Sequence, residues 1–304
     1  MRELPNLGPL AGVAVRADLL ADAGYAAALT AFGSVTPENE LKWESVEPER
    51  GKFSFQGADR IVDFAQQHGM AVRGHTLVWH LQNPGWLNDL SPAKLKQALA
   101  DHIRTVMQRY AGRIGEWDVV NEAVADNGKP RQSLWLRKLG IGYVALAFRL
   151  AHAADPQAKL FYNDYGAEGE GLKADAVYAL LATLKRAHVP IDGVGLQAHV
   201  DTTPPPGYEK NIERFARLGL RVELTEMDVR VKTDDAAARA AQAEQYARLV
   251  DGCKPCARFT VWGLDDADSW VPSAYPGFGH ATLLDGDLRP KPAFDAFRKA
   301  LLRR

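Results

Sequence analysis

The 304-residue sequence predicts an α/β protein folded as a single (β/α)₈ TIM barrel. Eight short apolar runs alternate with helical patterns along the whole chain, as expected for strands joined by helices. Several runs are continuously apolar, which is typical of parallel strands covered on both faces. No linker rich in Pro, Gly or Ser interrupts the pattern, so we expect residues 1–304 to form one domain. A doubly wound sheet is the alternative fold, but no G-x-G-x-x-G follows the first strand.

The eight predicted strands are spread over the whole chain. They lie at residues 13–15, 34–36, 71–78, 117–121, 159–163, 193–199, 221–226 and 258–263. The adjacent Val119 and Val120 show the continuous apolar character in the fourth of them.

Three of the intervening helices carry clear start or stop signals. Residues 59–69 place apolar side chains on one stripe and end at Gly69, a common residue after a helix end. Ser91 followed by Pro92 is a favourable helix start. Residues 236–250 are rich in Ala and long enough for four turns.

Composition excludes several classes of protein. Hydrophobic residues make up 46% and charged residues 25%, as in ordinary globular proteins. The net charge of −1 offers no electrostatic reason to bind nucleic acid or an anionic membrane, and no apolar run is long enough to span a bilayer. The first nine residues lack the pattern of a signal peptide. Because the chain carries almost no net charge, we expect its ligand to be neutral.

The only two cysteines, Cys253 and Cys256, form a C-x-x-C pair. A structural zinc site needs four ligands, and a redox pair is expected to open a helix, whereas this pair precedes an apolar run. The pair is therefore interpreted as a small disulfide or as two free thiols in a loop.

Polar and aromatic side chains follow most of the predicted strands. In chain order they are Glu38, Asn39, Lys42, His75, Trp79, His80, Gln82, Asn121, Glu122, Asn163, Asp164, Tyr165, Gln197, His199, Glu226, Asp228 and Trp262. Catalytic groups of a (β/α)₈ barrel lie at the C-terminal ends of its strands, so these side chains are predicted to meet at one mouth.

Glu122 and Glu226, at the ends of the fourth and seventh strands, are the candidate catalytic pair. Two carboxyl groups facing each other across a cleft are what cleavage of a glycosidic bond requires. A structural ion pair is the alternative for either glutamate alone. His75, His80 and His199 also permit a metal site, but the neighbouring Gln, Asn and Trp side chains suit sugar hydroxyls and rings better. We expect no metal.

Seven separated segments together resemble glycoside hydrolase family 10, the retaining endo-β-1,4-xylanases. They are ENELKW (38–43), RGHTLVWH (73–80), WDVVNE (117–122), FYNDY (161–165), GLQAH (195–199), TEMD (225–228) and VWG (261–263). The resemblance extends from about residue 12 to about residue 297 and keeps the order of the family's motifs.

The resemblance implies roles for five residues in catalysis. Glu226 would be the nucleophile and Glu122 the acid/base. Asn121 would bind the 2-hydroxyl of the reacting sugar. Asp228 would hold His199, which in turn would support Glu226.

The resemblance also implies a set of substrate-binding residues. Lys42, His75, Trp79 and Gln197 would line the cleavage subsite, Glu38, Asn39 and Gln82 the neighbouring subsite, and Tyr165 the leaving-group side, with Trp262 and Trp270 covering the reacting sugar. Trp270 could instead only pack beneath the loop at 272–276. No cofactor is implied, and the expected partners are xylan and xylo-oligosaccharides.

Further expectations concern the protein as a whole. We expect a monomer without an accessory carbohydrate-binding module. We expect it to be secreted or periplasmic with its signal peptide absent from this chain, or alternatively cytoplasmic and acting on imported xylo-oligosaccharides. A cellulase or mixed β-glycanase, a metal-dependent hydrolase and a catalytically inactive polysaccharide-binding barrel are the alternative functions. The C-x-x-C spacing and the segment YPGFGH (275–280) depart from the family's pattern.

Overall fold

In the computed structural model, which describes residues 4–304, eight parallel strands close into a barrel. The eight barrel strands are β1 Gly8–Val15, β2 Phe32–Pro37, β3 Ala71–Val78, β4 Glu116–Asn121, β5 Lys159–Asp164, β6 Gly193–Leu196, β8 Arg221–Val229 and β9 Cys256–Val261. A ninth strand of two residues, β7 His199–Val200, pairs with β8 at the barrel mouth. The barrel closes because β1 pairs with both β2 and β9, and β6 pairs with both β5 and β8. The predicted (β/α)₈ barrel is confirmed.

Helices surround the barrel. They are α1 Ala23–Leu29, α2 Trp43–Val46, α3 Gln56–Gln67, α4 Pro92–Arg109, α5 Leu134–Leu139, α6 Tyr143–Ala154, α7 Leu172–Arg186, α8 Tyr208–Ala216, α9 Ala236–Gly252, α10 Val271–Ala274 and α11 Pro292–Leu301. The Ser91 hydroxyl accepts a hydrogen bond from the Lys94 amide and so caps α4 as predicted. The helix predicted at 59–69 begins three residues earlier, and Gly69 follows its end with a left-handed φ of +67°.

The sixth predicted strand, 193–199, is not continuous, so this prediction was wrong. The strand stops at Leu196 because Ala198 adopts a left-handed φ of +62° and donates its amide to the buried Glu168 carboxylate at 2.7 Å. The chain resumes as β7, where His199 pairs in register with Asp228 of β8. The break therefore sets a histidine beside an aspartate at the barrel mouth.

A buried ionic cluster lies inside the barrel below the mouth. Arg73 of β3 donates to Asp118 of β4 at 3.0 Å and to Glu223 of β8 at 2.8 Å, and all three side chains are buried. Paired carboxylates are what make a buried guanidinium tolerable. Asp118 also accepts from His75 Nδ1 at 3.0 Å, so this cluster supports a residue of the mouth.

Two further features concern the predictions made from the sequence. Cys253 and Cys256 form a disulfide between α9 and β9, which agrees with one of the two interpretations of that pair. In the part of the chain that the structure describes, no helix is both long and apolar enough to cross a membrane.

Candidate active site

The C-terminal ends of the barrel strands surround a cavity of about 530 Å³. Every residue that was given a catalytic or substrate-binding role, except Asp228, lines it: Glu38, Asn39, Lys42, His75, Trp79, Gln82, Asn121, Glu122, Tyr165, Gln197, His199, Glu226, Trp262 and Trp270. Asp228 lies directly behind His199. The structure therefore brings together all the residues that were given a role in catalysis or substrate binding.

Glu226 of β8 lies at the centre of a buried hydrogen-bonded chain. Its Oε1 accepts from Asn163 Nδ2 at 2.7 Å, and its Oε2 accepts from His199 Nε2 at 3.0 Å. His199 Nδ1 donates in turn to Asp228 Oδ2 at 2.7 Å. Both ring nitrogens face carboxylate oxygens, which only accept hydrogen bonds. The arrangement therefore favours the protonated imidazolium, which donates from both nitrogens.

These contacts have opposite effects on the two ionisable partners. Burial by itself raises the pKa of Glu226, but the hydrogen bond from His199 and the nearby imidazoles lower it below its ordinary value. Burial lowers the pKa of His199, but Asp228 and Glu226 raise it well above its ordinary value. Glu226 is thus held ionised, as a nucleophile requires.

Glu122 occupies a different environment at the end of β4. Its backbone is left-handed, with φ +57°, and its amide donates to the Asn163 carbonyl at 2.8 Å. The side-chain Oε1 accepts from Asn121 Nδ2 at 3.1 Å and from Gln197 Nε2 at 3.0 Å. Uncommon backbone conformations of this kind concentrate at functional sites. In Glu122 the left-handed conformation comes directly after β4 and places the carboxyl group on the cavity wall.

Primary amides connect the two carboxyl groups. Asn163 Nδ2 donates both to Glu226 and to Asn121 Oδ1, the latter at 2.9 Å, while Asn121 donates to Glu122. Thr225 donates its hydroxyl to Asn163 Oδ1 at 2.6 Å and so orients that amide. Asn163 was predicted at the mouth from its place at the end of the fifth strand, but it was given no role in catalysis or substrate binding.

Four residues of the cavity wall were given no role in catalysis or substrate binding: His80, Leu81, Arg131 and Tyr275. His80 was predicted at the mouth and was weighed as a metal ligand. Its Nδ1 lies 3.6 Å from Glu122 Oε2, and burial lowers its pKa to about 4. Tyr275 belongs to segment 275–280, which departs from the family's pattern, and this segment therefore contributes to the cavity wall through Tyr275. Within residues 4–304, no group of three or more His, Cys, Asp or Glu side chains has the arrangement of a metal site.

One end of the cavity is rich in polar side chains. Asn39 Oδ1 accepts from Lys42 Nζ at 3.1 Å and from Gln82 Nε2 at 3.2 Å, and the Lys42 ammonium lies over the Trp79 ring. Burial raises the pKa of Glu38 to about 7, with repulsion from Glu40 adding to the effect. Convergent donors and acceptors beside an indole are suited to a ligand rich in hydroxyl groups.

Two tryptophans form another part of the wall. Trp262 contacts His75 edge-on with ring centroids 5.2 Å apart. Trp270 contacts His199 in the same way at 4.8 Å, and its Nε1 donates to Asp228 Oδ2 at 2.8 Å. Trp270 thus lines the cavity and also fixes the carboxylate behind His199, beyond any packing against its own loop.

The arrangement has the components of glycosidic bond cleavage: two carboxyl groups in unlike environments, amides between them, and indoles in the wall. Fold and site together define the class of a glycoside hydrolase. The sequence matches the family model described as Glycosyl hydrolase family 10 over residues 4–300. The chain belongs to this family.

Individual relatives agree with this assignment. The chain is 41% identical to endo-1,4-beta-xylanase B of Thermotoga neapolitana, with 89% of this chain and 81% of the relative covered. Xylanase 10B of Thermotoga petrophila RKU-1, solved in complex with xylobiose, superposes with a TM-score of 0.95 at 38% identity, covering 100% and 98% of the two chains. TsXylA, described as an intracellular xylanase of Thermoanaerobacterium saccharolyticum, superposes with a TM-score of 0.91 at 37% identity, covering 98% and 99%.

The hydrogen bond from His199 to Glu226 predicts a specific pH effect. Activity needs ionised Glu226, so it is lost as the pH falls through the lowered pKa of that carboxyl group. His199→Asn removes the imidazolium, raises the pKa of Glu226, and is expected to move the acid limb of kcat/KM to higher pH. The matched control is His188→Asn, because His188 is exposed and its left-handed φ of +50° suits Asn. An acid limb that stays in place in the His199 variant would contradict the assigned role.

Proposed function

We propose that this protein is a retaining endo-1,4-β-xylanase that hydrolyses internal bonds of xylan and xylo-oligosaccharides by double displacement. The observation that carries the proposal is the pair of carboxyl groups linked through the amides of Asn121 and Asn163, in which His199 holds Glu226 ionised. Retaining glycosidases need one carboxylate as nucleophile and a second carboxyl group as acid and then base.

In the first step a Glu226 carboxylate oxygen attacks the anomeric carbon, and Glu122 gives its proton to the departing glycosidic oxygen. In the second step Glu122 takes a proton from water, whose oxygen attacks the same carbon and releases Glu226. Asn121, which bonds to Glu122 and accepts from Asn163, is placed to bind the 2-hydroxyl of the reacting sugar.

The cavity walls support the choice of a neutral pentose polymer. Lys42, His75, Trp79 and Gln197 would hold the reacting sugar, Glu38, Asn39 and Gln82 the sugar before it, and Tyr165 the leaving-group side. Xylose differs from glucose in lacking the hydroxymethyl group at C5. Trp262 and Trp270, as covers of the reacting sugar, would leave little room for that group, which is how steric exclusion creates a preference.

The protein is proposed to act as a monomer without a cofactor, in one domain. The Cys253–Cys256 disulfide favours an oxidising compartment and hence a secreted or periplasmic location. The intracellular relative supports the cytoplasmic alternative, in which imported xylo-oligosaccharides are the substrate.

The test is to follow hydrolysis of xylotetraose by proton NMR and to compare polymers by product size. We expect the β-anomer as the first product, because two inversions at one carbon retain the configuration. We expect internal cleavage of linear xylan, with much slower release from barley glucan or carboxymethyl-cellulose. An α-anomer as first product would contradict the retaining mechanism, and comparable cleavage of the glucans would identify a broader β-glycanase.

A further inference from the structure

Lys173, in the first turn of α7, points its ammonium group into the protein behind the cavity wall. Its side chain is only 6% exposed. The Nζ atom lies 3.0 Å from Asp164 Oδ1 and 3.2 Å from Asp126 Oδ1, and 3.0 Å from the centroid of the Tyr165 ring. A buried ammonium is costly unless it is paired, and here Asp164 and Asp126 supply the pairing.

The three contacts join two loops to one helix. Asp126 lies in the loop after β4 that begins at Glu122, whereas Asp164 and Tyr165 lie at the end of β5. The same β4 loop approaches α7 closely at Gly128, where a Cβ atom would meet the Leu172 carbonyl at 3.0 Å. Lys173 therefore ties together the two segments that border the leaving-group side of the cavity.

A second cation acts on the same aromatic ring. Arg131 donates to the Tyr165 hydroxyl at 2.9 Å and to the backbone carbonyls of Glu122 and Val124 at 2.8 and 3.0 Å. The Arg131 guanidinium bonds the phenol oxygen and lies 5.5 Å from the ring centroid, whereas the Lys173 ammonium lies close over one face at 3.0 Å. Since Tyr165 lines the cavity and Lys173 does not, the opposite face is the one left for a ligand. Arg131 thus fixes the Tyr165 ring, which we call the Tyr165 platform, together with the backbone of Glu122.

We propose that Lys173 is a positioning residue for the reaction: it fixes the Tyr165 platform and the loop after Glu122 so that a leaving-group sugar is held in register with the acid/base. This inference rests on the proposed function, which sets the leaving-group sugar against Tyr165. An aromatic face bearing a cation on its other side stays in one orientation, and small displacements of a bound sugar cost catalytic rate.

The test compares two substrates of the full-length protein. Xylotetraose must place sugars on the leaving-group side, whereas an aryl β-xylobioside carrying a good leaving group places none there. Lys173→Met is expected to lower kcat/KM for xylotetraose about tenfold while changing that for the aryl xylobioside less than about twofold. The control is Lys185→Met in the same helix, which lies away from the cavity and is expected to leave both values unchanged. Equal losses on both substrates, or no loss, would overturn the proposal.

A second variant separates positioning from charge balance. Asp164 is fully buried, and burial raises its pKa to about 7 even though Lys173 opposes that rise. Removing Lys173 alone leaves this carboxyl group without its cation, although the Tyr162 hydroxyl and the Tyr165 amide still donate to it, and is expected to lower the melting temperature. Lys173→Met combined with Asp164→Asn is expected to regain stability but to keep the selective defect on xylotetraose. Recovery of xylotetraose hydrolysis in the double variant would mean that Lys173 only balances Asp164.

Two further variants identify which hypothesis fails. Lys173→Arg keeps a cation under the ring and is expected to retain most of the activity on xylotetraose. Tyr165→Ala is expected to show the same selective defect as Lys173→Met. If Tyr165→Ala is selective and Lys173→Met is not, only the Lys173 inference is wrong. If Tyr165→Ala is not selective, the proposed position of the leaving-group sugar is wrong and the inference falls with it.

Discussion

Replacing Glu226 by Ala is expected to abolish hydrolysis of every substrate, with kcat lowered by roughly 10⁴-fold or more. The substitution removes the oxygen that forms the covalent bond to the anomeric carbon, so a better leaving group cannot compensate. Aryl xylobiosides and xylan should therefore be affected alike, which initial rates on both substrates will show. The matched control is Glu213→Ala, an exposed glutamate of α8 whose loss should leave the rates unchanged.

Azide provides the stereochemical check on this variant. With the nucleophile gone, azide can enter the vacated space and attack the anomeric carbon directly, which would give an α-glycosyl azide with inverted configuration. A β-glycosyl azide from the Glu226 variant would reverse the assignment of the two glutamates. Because the Glu226 carboxylate accepts from His199 and Asn163, its removal leaves two buried donors unpaired, so folding must be verified by thermal unfolding.

Replacing Glu122 by Ala is expected to give an effect that depends on the substrate. Hydrolysis of xylan should fall by about 10³-fold or more, because its sugar leaving group needs a proton, consistent with the scale of acid/base catalysis. The first step on aryl glycosides with good leaving groups should be nearly preserved, because they need little protonation. The second step then becomes slow and a glycosyl-enzyme accumulates, which a burst of released phenol will reveal.

Azide should accelerate the second step in the Glu122 variant, because it needs no general base to attack the intermediate. The product should be a β-glycosyl azide, since the configuration has been inverted twice. Asn121→Ala is an instructive comparison, because it removes a neighbour of Glu122 without removing the carboxyl group. Loss of aryl glycoside cleavage in the first step of the Glu122 variant would contradict its role as the acid.

The barrel and the composition of its mouth could be predicted from the sequence. Strand ends of a (β/α)₈ barrel converge whatever the loops do, so polar residues directly after apolar runs had to share one mouth. The same reasoning could not rank Asn163 above its neighbours, because its importance lies in donating to both Asn121 and Glu226, residues of two other strands. The break at Ala198 was missed because Ala rarely adopts a left-handed backbone.

The sequence by itself determined the fold class and the family resemblance and predicted the two glutamates as the catalytic pair, because these depend on local patterns and on motif order. Only the tertiary structure decided how their environments differ: His199 beside Glu226, and two amides on Glu122. It alone showed Lys173 beneath Tyr165. Such effects arise from charges and hydrogen bonds between segments distant in sequence, and their strength depends on distance and burial, which no local pattern contains.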